Sequence, residues 1–219
     1  MRIVIAGGHG KIGLLLARRL GGRGDEVASL IRNPAHEADV VAAGGRPVLC
    51  DLEKATVPEV AAHVEGADAV VFAAGAGPGS GAARKDTVDR AASVLLADAA
   101  ERAGVARFVQ ISSMGAGQPP RAGTDDVWAA YIDAKTRAEE DLRTRPLDWL
   151  ILRPGGLTDD PGTGLVTLSE ERLPRGRVTR DDVAAVITGL LDTPAVRHLT
   201  LELTEGATPI SEAVHAFHD

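Results

Sequence analysis

The sequence predicts an α/β fold: one doubly wound parallel sheet of about seven strands, helices on both faces and a small C-terminal elaboration. Three observations carry this. Short apolar runs alternate with stretches of helical periodicity, the pattern of βαβ units. The apolar runs are near-continuous, as in strands covered on both sides. A glycine-spaced turn joins the first strand to the first helix.

"RIVIA" (2–6) reads as a buried strand. "KIGLLLARRL" (11–20) is a helix with Ile12, Leu15, Leu16 and Leu20 on one face. "EVASLIR" (26–32) is the second strand, and "PAHEADVVAAG" (34–44) a helix opened by Pro and stopped by Gly. Strand "RPVLC" (46–50), helix "VPEVAAHVEG" (57–66) and strand "DAVVFAA" (68–74) follow. A long helix, 83–103, carries Val88, Ala91, Ala92, Leu95 and Ala99 on one face. "ARFVQIS" (106–112) is the fifth strand. The helix over 127–143 packs through Val127, Ala130, Ala134, Ala138 and Leu142. "LDWLILR" (147–153) is the sixth strand, and 154–180 is loop-rich with a strand near 165–168. A helix (180–192), a strand (198–203) and a helix from Ser211 complete the chain, which reads as one domain over 1–219 with 154–180 on the substrate side.

A net charge of −7 and a pI near 5.4 argue against nucleic acid as a partner. Cys50 is the sole cysteine, so no internal disulfide forms, as expected in the cytoplasm; it reads as a buried strand-end residue. No leader or membrane span is expected, because the first strand begins at once and no apolar run is long enough. Only four lysines occur, which makes each informative. His215, His218 and Asp219 lie close in sequence but make a poor metal site without further ligands.

The turn "GGHGKIG" places Gly7, Gly10 and Gly13 between a strand and a helix. Gly7 permits the tight turn, Gly10 the approach of a pyrophosphate, and Gly13 close helix–strand packing; between a strand and a helix this predicts a Rossmann dinucleotide site, against a plain turn with no ligand. For NAD an acid is expected at the end of the second strand. The chain has "LIRN" there, and Arg32 suits a 2′-phosphate. His9 and Lys11 add positive potential, so NADP(H) is expected. Asp51, in "CDL", can accept from the adenine amino group, and the small residues of "FAAGAG" (72–77) let a backbone pass under a ribose.

With "GVARFVQISS", "YIDAK", "LILRPGGLT" and "TRDDVA", these stretches resemble the short-chain dehydrogenase/reductases, nearest their atypical epimerase/dehydratase-like, NADP-binding members. The resemblance covers nearly the whole chain. It implies a catalytic set of Ser113, Tyr131 and Lys135, with Ser112 as the alternative serine and Asp89 where an Asn is usual. It implies cofactor contacts from Gly7, His9, Gly10, Lys11, Ile12, Gly13, Arg32, Asp51, Leu52, Ala73, Ala74, Gly75, Ser112, Lys135 and Pro154. Tyr131 would act as acid/base and Lys135 would hold the nicotinamide ribose, with Ser113 orienting the substrate oxygen. A phenol exchanges protons near neutrality only with positive charge beside it, and Asp89 would offset that charge or organise a proton path, or else serve as an ordinary helix residue facing Arg84, Arg90 or solvent.

Tyr131 and Lys135 flank the packing stripe of their helix, at the edge of a pocket. Segments 114–126 and 154–180 are the expected lids, and 75–85 a flap. Trp128 either stacks on a planar substrate or packs. The expected substrate is a small carbonyl, alcohol or quinone-like molecule, and the protein a monomer or homodimer. Rival readings are an NADP(H) sensor without turnover and a sugar epimerase.

Overall fold

The computed structural model describes residues 1–77, 79–119 and 123–217. Two βαβ units come first: β1 (Arg2–Ala6), α1 (Lys11–Gly22), β2 (Glu26–Ile31), a 3₁₀ turn (Pro34–His36) with α2 (Glu37–Ala42), and β3 (Arg46–Leu49). Then come α3 (Val57–Val64), β4 (Ala69–Phe72), α4 (Gly81–Arg84), a π-helical stretch (Lys85–Ala91) and α5 (Ala92–Ala103). The second half holds β5 (Arg107–Ile111), α6 (Asp126–Arg143), β6 (Asp148–Pro154), β7 (Gly156–Thr158), β8 (Leu165–Ser169) and β9 (Arg177–Thr179). It closes with α7 (Arg180–Leu191), β10 (Leu199–Glu205), β11 (Thr208–Pro209) and α8 (Ile210–His215).

Nine strands form the main sheet in the order β11-β8-β10-β6-β5-β4-β1-β2-β3. From β3 to β10 every pairing is parallel, which gives the seven strands the sequence predicts. The count rises because β8 adds antiparallel to β10, β11 adds to β8, and β7 pairs with β9 in a second small sheet. Of these, β8 is the strand expected near 165–168, whereas β7, β9 and β11 run for two or three residues, too short to leave a periodic signature.

Strand β1 shows how the core is divided. Ile3 and Ile5 face one hydrophobic cluster, with Leu16 and Leu20 of α1 and Ile187 of α7. Val4 and Ala6 face the other, with Val60 of α3, Leu96 of α5 and Leu142 of α6. This alternation is the period of two expected of a strand covered on both faces. Several helix ends follow from local chemistry: Glu59 accepts from the N–H of Thr56 at 2.7 Å in a capping box, Asp125 caps α6, and Gly104 at φ +72° ends α5.

Two expectations about packing change. The buried face of α6 is Ile132, Ala134, Lys135, Ala138, Glu139 and Leu142, so Lys135 lies within the stripe and not beside it, and Val127 is exposed. In the preceding helix Lys85, Asp89, Ser93 and Leu96 are buried, whereas Ala91 and Leu95 are only partly so. The π turns between Lys85 and Ala91 rotate the face away from regular α-helical spacing.

Cys50 is half-buried, not buried, and burial, with Asp51 and Glu59 nearby, pushes its thiol up to about 11. Alkylation by iodoacetamide at pH 8 is therefore expected to run about two orders of magnitude slower than for a free cysteine. A rate equal to that of free cysteine would contradict this.

Candidate active site

The strand order reverses between β1 and β4, and open α/β sheets bind ligands at such a switch point. The glycine turn lies there. Gly7 has φ +81°, and a Cβ on it would come 2.6 Å from Ala74 Cα. A Cβ on Gly13 would strike the Gly7 carbonyl. At Gly10 the nearest protein atom to such a Cβ is Gly7 O at 3.1 Å, and the residue is exposed, so small size there leaves room on the outer side. Gly10 caps α1 without any side-chain hydrogen bond, leaving the first N–H groups of Lys11, Ile12 and Gly13 open. A dinucleotide pyrophosphate fits this cradle.

Around the ends of β2 and β3 the charges expected for a cofactor are present but engaged. No acid adjoins Arg32 in the chain, yet in space Glu53 accepts from its Nη1 at 3.2 Å. The same carboxylate accepts from Arg84 Nη2 at 2.7 Å and Thr87 Oγ1 at 2.8 Å. The Arg84 hydrogen bond, ahead of a smaller opposing burial effect, holds Glu53 below the usual carboxylate range. His9 pairs with Asp39 at 2.8 Å and stacks on His36 at 3.5 Å, and Lys11 pairs with Asp159 at 2.5 Å. Asp159 also takes Arg180, at 2.6 Å, and so ties the loop after β7 to the glycine turn. Asp51 is half-buried at the end of β3, with Lys54 at 3.2 Å, and Leu52 packs on the core.

The other end of the crevice brings together residues far apart in sequence. Lys135 is 3% exposed. Its ammonium donates to Ile111 O at 3.1 Å, lies 3.3 Å from Asp89 Oδ1, and sits 5.7 Å from the ring centres of both Phe72 and Tyr131. Asp89 is 1% exposed; its Oδ2 accepts from Ala76 N–H at 3.2 Å, and its Oδ1 has the Lys135 charge without an aligned hydrogen bond. Asp89 therefore faces Lys135 and neither Arg84, Arg90 nor solvent. Beside it, Ala73, Ala74 and Gly75 carry the chain from β4 under the glycine turn. Trp128 is exposed, with its ring 5.2 Å from that of Tyr131.

The two serines separate cleanly. Ser112 is buried, and its hydroxyl donates to Glu139 Oε1 at 2.5 Å. Ser113 is half-buried and reaches only the carbonyl of Met114, at 3.3 Å. Pro154 ends β6 and is buried, with its carbonyl accepting from Met114 N–H at 3.0 Å.

Sequence reasoning missed four residues. Lys85 approaches the Tyr131 ring from the π-helical stretch, with Nζ 5.3 Å from the ring centre; its signal was the scarcity of lysine. Glu53 is the second. Glu139, one turn after Lys135, meets Arg153 in a buried bidentate pair at 2.9 and 2.6 Å. Asp182 gathers the N–H groups of Thr163 and Gly164 at 3.0 and 2.9 Å, and so fixes the loop before β8.

Of the expected lids, Gly117 donates to Thr136 Oγ1 at 2.8 Å and Arg172 donates to Ala116 O at 3.2 Å, which pins 114–119 on α6 and on the segment after β8. Residues 120–122 of that lid and Pro78 of the flap lie outside the described residues. A cavity of about 310 Å³ lies between Gly117–Pro119 and the Ile132, Thr136 and Glu140 side of α6, and neither Tyr131 nor Lys135 lines it. Of the C-terminal histidines, His218 lies outside the described residues with Asp219, and His215 Nδ1 bonds Ser211 O at 2.6 Å. Among the described residues no helix is long and apolar enough to cross a membrane.

Residues 7–194 match the family described as NAD(P)H-binding. A Bacillus subtilis protein named Uncharacterized sugar epimerase YhfK is 34% identical over 215 residues, which cover 98% of this chain and 99% of that protein. A Bacillus halodurans structure, nominally an NAD-dependent epimerase/dehydratase, superposes with a TM-score of 0.91 at 32% identity, covering 99% of each chain. ChuY, an anaerobillin reductase of Escherichia coli O157:H7, gives a TM-score of 0.76 at 27% identity over 94% of this chain and 97% of its own.

Proposed function

Since the chain belongs to the NAD(P)H-binding family of Rossmann fold, a nicotinamide cofactor is the starting point, and we propose an NADP(H)-dependent oxidoreductase of the short-chain dehydrogenase/reductase type. In this reading the substrate is a small carbonyl, alcohol or quinone-like molecule, and 1–219 acts as one nucleotide-binding unit, monomeric or homodimeric. The observation that carries the reading is the buried Lys135 ammonium, fixed by Ile111 O and Asp89 beside the Tyr131 ring.

When bound, the nicotinamide supplies or accepts the hydride. Tyr131 Oη gives its proton to the substrate oxygen as a carbonyl is reduced, and regains one from solvent. Ser113, whose hydroxyl is not committed to the core, orients that oxygen by a hydrogen bond. Lys135 holds the ribose hydroxyls and keeps positive charge beside the phenol, which favours proton release. Asp89 holds Lys135 in place and offsets part of its charge.

Consumption of NADPH against a panel of aldehydes, ketones and quinones tests the reaction. Tight NADPH binding with no turnover on any of them would instead favour a cofactor sensor. Preference for NADP(H) over NAD(H) rests on Arg32. Arg32→Glu is expected to reverse the preference, weakening NADPH by about tenfold or more, because a carboxylate repels the 2′-phosphate. An unchanged ratio of the two dissociation constants would remove the assignment.

A further inference from the structure

We propose that Lys85 is an anion-binding group of the substrate site, and that the substrate carries a carboxylate as well as its reacting carbonyl; this rests on reading Tyr131 as the acid/base. The four lysines show why. Lys11, Lys54 and Lys135 each lie within 3.3 Å of a carboxylate, on Asp159, Asp51 and Asp89. Lys85 has no such partner among the described residues, although it is only 7% exposed. Its ammonium donates once, to Gly77 O at 2.8 Å, and lies over the Tyr131 ring. An ammonium has three donors, so two remain.

A buried cation without a counter-charge is costly, and proteins pair such groups or pair them on binding. Asp89 offsets part of the Lys135 charge, so Lys85 is the lysine beside the Tyr131 ring with no carboxylate partner among the described residues. One ammonium with two spare donors matches one carboxylate. A phosphate dianion would leave the site negative and is better met by guanidinium forks. The cofactor's own phosphates have the open N–H groups of α1. The exposed Trp128 ring beside Tyr131 adds an apolar wall, which suits a flat body carrying the carbonyl and the carboxylate.

The test uses 4-formylbenzoate and its methyl ester, titrated calorimetrically into the full chain saturated with NADP⁺, where no reduction occurs. The free carboxylate is expected to bind roughly tenfold tighter than the ester. Lys85→Met should abolish that preference and Lys85→Arg should keep it, with NADP⁺ affinity unchanged in both. Equal binding of the two probes to the wild-type protein, or binding of neither, overturns the proposal without need of a folded variant. So does a Lys85→Met protein that loses NADP⁺ affinity but keeps the preference, since Lys85 would then serve the cofactor. The carboxylate preference can hold while NADPH goes unconsumed, and in that case the oxidoreductase reading fails alone.

Discussion

Tyr131→Phe is expected to lower kcat for NADPH-dependent reduction by about 10²–10⁴-fold, the usual loss when a positioned general acid is removed. NADPH affinity and thermal stability should barely move. The ring stays, with its contacts to Trp128, Lys85 and Lys135. The hydroxyl makes no hydrogen bond to any described residue, so no partner is orphaned. The informative comparison is single-turnover rate against cofactor dissociation constant. A Phe variant with full turnover would show that the proton comes from elsewhere, with Ser113 the first alternative.

Glu139→Ala is expected to cost about 3–5 kcal/mol, because it strands a buried guanidinium. Glu139 is fully buried, Arg153 is 7% exposed, and the two meet through both oxygens. Arg143 at 2.8 Å and Ser112 at 2.5 Å complete the carboxylate's partners. The damage should reach the site, because Ser112 precedes Ser113 and its hydroxyl would lose its acceptor. Glu139→Gln keeps the volume and gives the pH test. Burial pushes the Glu139 carboxyl up, but the Arg153 hydrogen bonds and charge, then Ser112 and Arg143, outweigh it, and the group ends below the ordinary range. A folded value below the unfolded one means the stabilisation is complete above about pH 4.3 and is lost as the pH falls through the folded value. The gap in unfolding free energy between wild type and Glu139→Gln should therefore close in acid. A gap that stays constant down to about pH 2 would show that shape, and not charge, matters there.

What the sequence reveals, and what it hides, follows from range. The seven parallel strands are legible because each is a continuous apolar run between turn residues, and the glycine turn marks the switch point. Of the extra strands, β8 is legible near 165–168, and β7, β9 and β11 are hidden by their length of two or three residues. Tyr131 and Lys135 are legible because one helix holds both. Asp89 is reached only through the resemblance. Lys85 is marked only by the scarcity of lysine, because its meeting with Tyr131 depends on how two helices pack. Glu53 stands 21 residues from Arg32 and meets it only because β3 lies beside β2. An acid absent beside Arg32 in the chain is present beside it in space.

The π-helical turns from Lys85 to Ala91 make residue number a functional variable. A π turn accommodates an extra residue relative to α-helical winding. A relative with one residue fewer there could keep the sheet and both flanking helices, yet point different side chains at Tyr131. Aligning such a relative without a gap would pair wrong positions across this segment. An insertion or a deletion in this segment can thus change which side chains meet the Tyr131 ring, before any substitution does.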